Sequence, residues 1–185
     1  MVYGIILTCE SSVGERMQII DVPSPNFDER PAGVVISLVV IHSISLPPGE
    51  FGNGRVIDFF CNRLPVNEHP FFREISGLKV STHYFIDRQG VMIRFVAEEK
   101  RAWHAGVSRF AGRDNCNDFS LGIELEGDDF QPFANLQYES LNLLLKDIYH
   151  RHPQVNRDLV VGHADISPGR KTDPGPFFQW ERVAK

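Results

Sequence analysis

Two histidines in this chain directly follow short apolar runs. His42 comes after Ser37-Leu38-Val39-Val40-Ile41, and His163 after Leu159-Val160-Val161-Gly162. If those runs are neighbouring strands, both imidazoles project at one edge of a sheet, where binding residues sit on loops held by a rigid scaffold. Asp173 follows in a tail whose Pro168, Gly169, Pro174, Gly175 and Pro176 can turn the chain back over that edge. Two imidazoles and one carboxylate make a catalytic zinc set with a fourth position left for water. Zinc brings the pKa of such a water to about 7, which supplies hydroxide at neutral pH. Spacing alone leaves an alternative open, in which both histidines are core or capping residues and Asp173 merely begins a turn.

Other reactive side chains are weaker candidates. Cys9, Cys61 and Cys116 form no CxxC pair, and an odd, low count fits reduced thiols better than a disulfide framework. Cys116 is expected to be a small semi-buried apolar residue. Trp103 and His104 lie in a loop beside Ala105 and Gly106, where a flat aromatic suits either a ligand or the core. His83 is expected to be a hydrogen-bonded strand residue near the site, and His69, His150 and His152 surface or capping residues.

The elements that position these residues are legible from periodicity. The run 37–41 is expected to be a buried strand, and the Pro- and Gly-rich segment 45–54 a loop. Val56, Phe59, Phe60 and Leu64 approximate helical spacing. Residues 80–86 and 91–96 flank Asp87-Arg88-Gln89-Gly90 and predict a hairpin. Residues 119–126 predict another strand. Leu141, Leu144, Leu145 and Ile148 mark a helix that His150, Arg151 and His152 finish and Pro153 stops. Residues 159–161 predict a last strand. Residues 21–33 are expected to be an ordered, irregular lead-in. The order implies a single α/β domain with a central mixed sheet flanked by helices.

Five blocks carry a resemblance: SPNFDERP at 24–31, VVIHSISLPPGEFG at 39–52, RAWHAG at 101–106, CNDFSLGIELEG at 116–127 and GHADISPGRKTDPGP at 162–176. Together they closely resemble the N-acetylmuramoyl-L-alanine amidase family (amidase_2), which includes phage T7 lysozyme-type amidases and animal peptidoglycan recognition proteins. Within it they are most similar to the cytoplasmic bacterial members that act on 1,6-anhydro-N-acetylmuramoyl-L-alanine. The resemblance spans roughly 22–181, so the zinc amidase domain is expected at 22–185 with 1–21 as an N-terminal extension.

The resemblance implies that His42, His163 and Asp173 bind Zn2+, with Glu124 and Lys171 as catalytic residues. Glu124 would move the proton from water to the leaving amine, and Lys171 would stabilise the oxyanion. Glu126, on the same strand face, is the rival for the acid/base role. Trp103, His104, Ser43 and Asn115 are the implied substrate-binding positions. Ser43 stands where relatives often have Asn, and Asn115 where a close relative carries Arg; Arg109, Arg113 or Lys79 could replace that charge. The implied substrate is a small muropeptide from cell-wall turnover. An exported lytic amidase acting on intact peptidoglycan and a non-catalytic peptidoglycan-binding module are the alternatives.

Bulk properties agree with an ordinary enzyme domain. The 185 residues are 42% hydrophobic and 23% charged, enough for one substantial core. A net charge of −5 provides no broad basic face, so nucleic acid is not an expected partner. Residues 4–9 are apolar, but no Lys or Arg precedes them and Glu10 follows at once, so they are expected to be a short strand or extension and not an export signal. No stretch reaches the ~20 apolar residues a membrane span needs. A cytoplasmic monomer with no membrane partner is expected.

Overall fold

The computed structural model describes residues 5–10 and 16–184. The elements run β1 (Ile5–Glu10), β2 (Arg16–Asp21), β3 (Phe27–Glu29), β4 (Leu38–Ile44), α1 (Arg55–Phe60), α2 (Pro70–Ile75), β5 (Tyr84–Ile86), β6 (Met92–Arg94), β7 (Lys100–Ala102), β8 (Arg109–Phe110), β9 (Arg113–Asp114), β10 (Ser120–Glu126), α3 (Asn135–Arg151), β11 (Val160–Gly162) and α4 (His163–Ile166). The segment expected to be an N-terminal extension contributes β1 and β2. Residues 1–4, 11–15 and 185 lie outside the described residues.

Seven strands form one mixed sheet in the order β1-β2-β6-β5-β10-β4-β11. β10 is parallel to both β4 and β5, and β11 is parallel to β4, while the β5–β6 and β1–β2 pairs are antiparallel. Because β10 is central, all seven of its residues are buried. Strand alternation then sorts them into two faces. Leu121, Ile123 and Leu125 join Val39, Ile41, Tyr84 and Ile86 in a core against α3. On α3, Leu141, Leu144, Leu145 and Ile148 are fully buried, each contributing roughly 1.5–3 kcal/mol by leaving water. The helix ends where the sequence predicts, and the buried Gln137 in its first turn ties it to the sheet by donating to the carbonyls of Ile86 and Glu126.

The opposite face is covered in two patches. Phe59 and Phe60 of α1, Phe72 of α2, Phe85 and Phe95 form one; Leu38, Val40, Ala105, Cys116, Phe119 and Ile166 form the other. Between them lie His42 of β4 and the polar residues Ser120, Glu124 and Glu126 of β10.

The β5–β6 hairpin closes at Gly90, whose φ of 79° and approach to Leu136 O exclude a side chain. Its strands are shorter than residues 80–86 and 91–96; beyond them His83 O still accepts from Phe95 N–H, while Ser81 N–H turns away to Trp103 O. Five features were not expected: β2 as the second strand from the sheet edge, between β1 and β6, β3 within the lead-in and paired with β7, α2, the β8–β9 hairpin, and the short α4. His42 also lies within β4, two residues before its end, and not just beyond it.

Candidate active site

Register brings the site together. In the parallel β10–β4 pair, Glu124 sits opposite His42. In β11–β4, Gly162 sits opposite Ile41, which sets His163 level with His42. The tail folds back as expected: Ala164 N–H donates to Asp173 O, which returns the Asp173 carboxylate to the strand ends.

The three predicted ligands converge. His42 Nδ1 and His163 Nδ1 are 2.9 Å apart, and Asp173 Oδ2 lies 3.1 Å and 3.0 Å from them. Among the described residues this is the group of side chains able to hold a metal ion. Bonds of about 2.0–2.2 Å in a tetrahedral site imply ligand–ligand distances of about 3.3 Å, close to this triangle.

Proton placement makes the case sharper. His163 Nε2–H donates to Ala105 O at 3.1 Å, which leaves Nδ1 a bare acceptor. His42 Nε2 is 2.9 Å from His104 Nδ1, and burial pushes His42 down to about 4, so this ring is neutral. With its proton on Nε2, two lone pairs and a carboxylate oxygen face one point. Three acceptors crowded about 3 Å apart fit a cation, and the donor set of two imidazoles and a carboxylate fits zinc.

Glu124 lies beside this triangle, buried, and its Oε2 has no hydrogen-bond partner among the described residues. Burial, reinforced by the Asp173 charge and opposed by Lys171, pushes its carboxyl well above the ordinary value. Glu126 differs. Its two oxygens accept from Gly52 N–H at 2.6 Å and Arg88 N–H at 3.2 Å, so it fastens the 45–54 loop to the hairpin turn.

A cavity of about 230 Å³ opens over the triangle, lined by His42, Ser43, His104, Glu124, His163, Lys171 and Asp173. A second, of about 420 Å³, adjoins it through Ser43, Lys171 and Asp173 and has an apolar wall of Phe59, Phe71, Ile75 and Leu78. The composition of α2 gave no hint of that wall before its position was known.

Not every predicted residue arrives here. Trp103 and Asn115 line neither cavity. Trp103 donates its N–H to Ser81 Oγ, and Asn115, exposed with φ 58°, begins the 3-10 turn before β10. Arg109 pairs with Asp114, and Arg113 stacks on Phe119. His104 is buried, with one ring nitrogen on His42 and the other on Ser120 Oγ. His83 is a hydrogen-bonded core residue outside the metal set, its Nδ1 accepting from Gly122 N–H. His69 caps α2 by accepting from Phe71 N–H. Cys116 is fully buried among apolar side chains, and that burial raises its thiol pKa.

An α/β sheet whose parallel strand ends gather two imidazoles, a carboxylate and a second buried carboxyl defines a candidate metallohydrolase. More particularly, residues 32–176 match the model of the N-acetylmuramoyl-L-alanine amidase family (Amidase_2), and the chain belongs to that family of amide hydrolases. It is 53% identical over 161 residues to the 1,6-anhydro-N-acetylmuramyl-L-alanine amidase AmpD of Haemophilus influenzae, covering 87% of this chain and 88% of that one. A crystal structure of a selenomethionine AmpD derivative superposes with a TM-score of 0.85 at 47% identity, covering 88% of this chain and 90% of that one. The amidase AmiD from E. coli, in complex with anhydro-N-acetylmuramic acid-L-Ala-D-γ-Glu-L-Lys, superposes with a TM-score of 0.59 at 27% identity, covering 85% and 64%.

Proposed function

We propose that this protein is a zinc-dependent amidase. It cleaves the bond between the lactyl group of 1,6-anhydro-N-acetylmuramic acid and L-alanine in peptidoglycan turnover products, and so recycles cell-wall material in the cytoplasm. The observation that carries the reading is the triangle of acceptors at His42, His163 and Asp173 beside the orphaned, buried Glu124. The substrate follows from the similarity to AmpD and from the anhydromuramyl peptide bound by AmiD. The amidase domain is proposed to comprise residues 22–185, with β1 and β2 of the preceding segment extending its sheet.

A zinc ion held there supplies Lewis acidity toward the substrate carbonyl and lowers the pKa of water. Glu124, whose pKa is raised by burial, takes up the proton released by the attacking water and passes it to the leaving amine nitrogen. Lys171, on the rim of both cavities, places its ammonium where negative charge develops on the carbonyl oxygen. Ser43 bridges the two cavities, where its hydroxyl can bond the substrate amide. The neighbouring wall of Phe59, Phe71 and Ile75 offers an apolar surface to the rest of the ligand.

Among the described residues no helix is long and apolar enough to cross a membrane. Mass spectrometry of products from anhydromuropeptides and from intact sacculi, incubated side by side, tests the substrate. Release of free stem peptide from the soluble anhydro form, with little from sacculi, is the expected result. Preferential release from sacculi points to a lytic enzyme, and no release from either to a binding module.

A further inference from the structure

His163 and His42 are steered by different partners. His163 donates its distal N–H to a backbone carbonyl, Ala105 O, which can only accept. His42 Nε2 instead faces another histidine, and an imidazole can accept or donate at either nitrogen. The tautomer of His42 is therefore fixed only if something fixes His104.

That something is Ser120. Its Oγ–H donates to Cys116 O at 2.6 Å, and a carbonyl cannot donate back. The hydroxyl oxygen is then an acceptor toward His104 Nε2, 3.2 Å away, so His104 carries its proton on Nε2 and presents a lone pair at Nδ1. His42 must in turn carry its proton on Nε2, which frees Nδ1 toward His163 and Asp173. All three residues are buried. The ring of His104 is also held sterically: a Cβ on Gly122 would lie 2.5 Å from its Cγ, and His83 stands edge-on to it with ring centroids 5.7 Å apart.

We propose that Ser120, acting through His104, is a positioning residue that sets the tautomer of His42 and thereby the affinity of the site for its metal. Ser120 lies two hydrogen bonds from the ligand and touches neither cavity. Without its hydroxyl, His104 can place its proton on Nδ1. His42 then accepts at Nε2, and its own proton moves to Nδ1, where it blocks ligation. The inference rests on the metal-site reading proposed above.

The test is Ser120→Ala, with Ser24→Ala as control. Ser24 is also buried, donates to a carbonyl (Phe60 O, 2.6 Å) and accepts one N–H (Asn26, 3.1 Å), but lies outside the relay. Two quantities are read in folded protein. One is Zn2+ affinity by competition with a chromophoric chelator. The other is the tautomer of His42 and His104 in metal-free protein, by long-range proton–nitrogen NMR. Ser120→Ala is expected to weaken zinc about tenfold, the low end for outer-shell partners, and to shift both rings away from the Nε2–H form, while Ser24→Ala changes neither. Unchanged affinity and tautomers in folded Ser120→Ala overturn the proposal, as does an equal loss in Ser24→Ala. If the unaltered protein itself binds no zinc, the metal-site reading fails instead.

Discussion

Glu124 and Glu126 are two residues apart on one strand face, and their surroundings give them opposite characters. Glu126 spends both oxygens on backbone N–H groups; Glu124 keeps one oxygen bare beside the metal triangle. Glu124→Gln should therefore leave zinc binding intact and lower kcat by ~10²–10⁴-fold, the usual contribution of a placed acid/base group. Glu126→Gln turns an acceptor toward one of its two N–H groups into a donor and should cost about 1–3 kcal/mol of stability, read as a lower denaturant midpoint. If Glu126→Gln is inactive yet stable while Glu124→Gln turns over normally, the acid/base assignment belongs to Glu126. Lys171→Met should lower kcat without weakening zinc, because its ammonium is exposed on the rim and not among the ligands; a matching loss of zinc would mean it supports the metal instead.

The elements explain why parts of the site could be read before the fold was known. A β-branched run followed by histidine is a local pattern, and parallel pairing of β4 with β11 and β10 turns two such patterns and Glu124 into one cluster. Helix α3 was legible for the same reason, since Leu141, Leu144, Leu145 and Ile148 keep helical spacing. What escaped was short or polar. All three residues of β3 are exposed, and its partner β7 is also three residues long, so neither gives an alternating signal. α2 has six residues, although the His69-Pro70 start is a recognisable helix entry. The Ser120–His104–His42 relay had no sequence signature, because it joins three separate segments. Gly122 offers a test of how tightly β10 supports that relay. Its missing Cβ leaves room for His104, so Gly122→Ala should destabilise the fold by about 1–3 kcal/mol; wild-type stability would show that the ring can shift freely.

Across the whole molecule, buried neutral histidines tie stability to pH. Burial, helped by the Arg30 charge, pushes His83 down to about 3, and burial pushes His42 to about 4 in metal-free protein, both from an ordinary 6.5. His104 is also shifted well down, by burial first. Below pH 6.5 the unfolded chain takes up protons that these folded residues refuse, so stability falls as pH falls. The slope is about 1.4 kcal/mol per pH unit for each group once the pH is well below 6.5. Glu124, shifted up by burial, works the other way and offsets one of the three. The denaturant midpoint of chelated protein should therefore drop between pH 6.5 and 4.5; a flat or rising midpoint contradicts the neutral-histidine account.

The central claim is that His42, His163 and Asp173 hold one zinc ion on which amide hydrolysis depends. Titrating zinc into chelator-stripped protein while following release of the stem peptide from an anhydromuropeptide tests it most directly. The account predicts no turnover without metal and recovery that saturates at one zinc per chain. Full turnover by metal-free protein, or recovery that survives replacement of His42 by Ala, would contradict it.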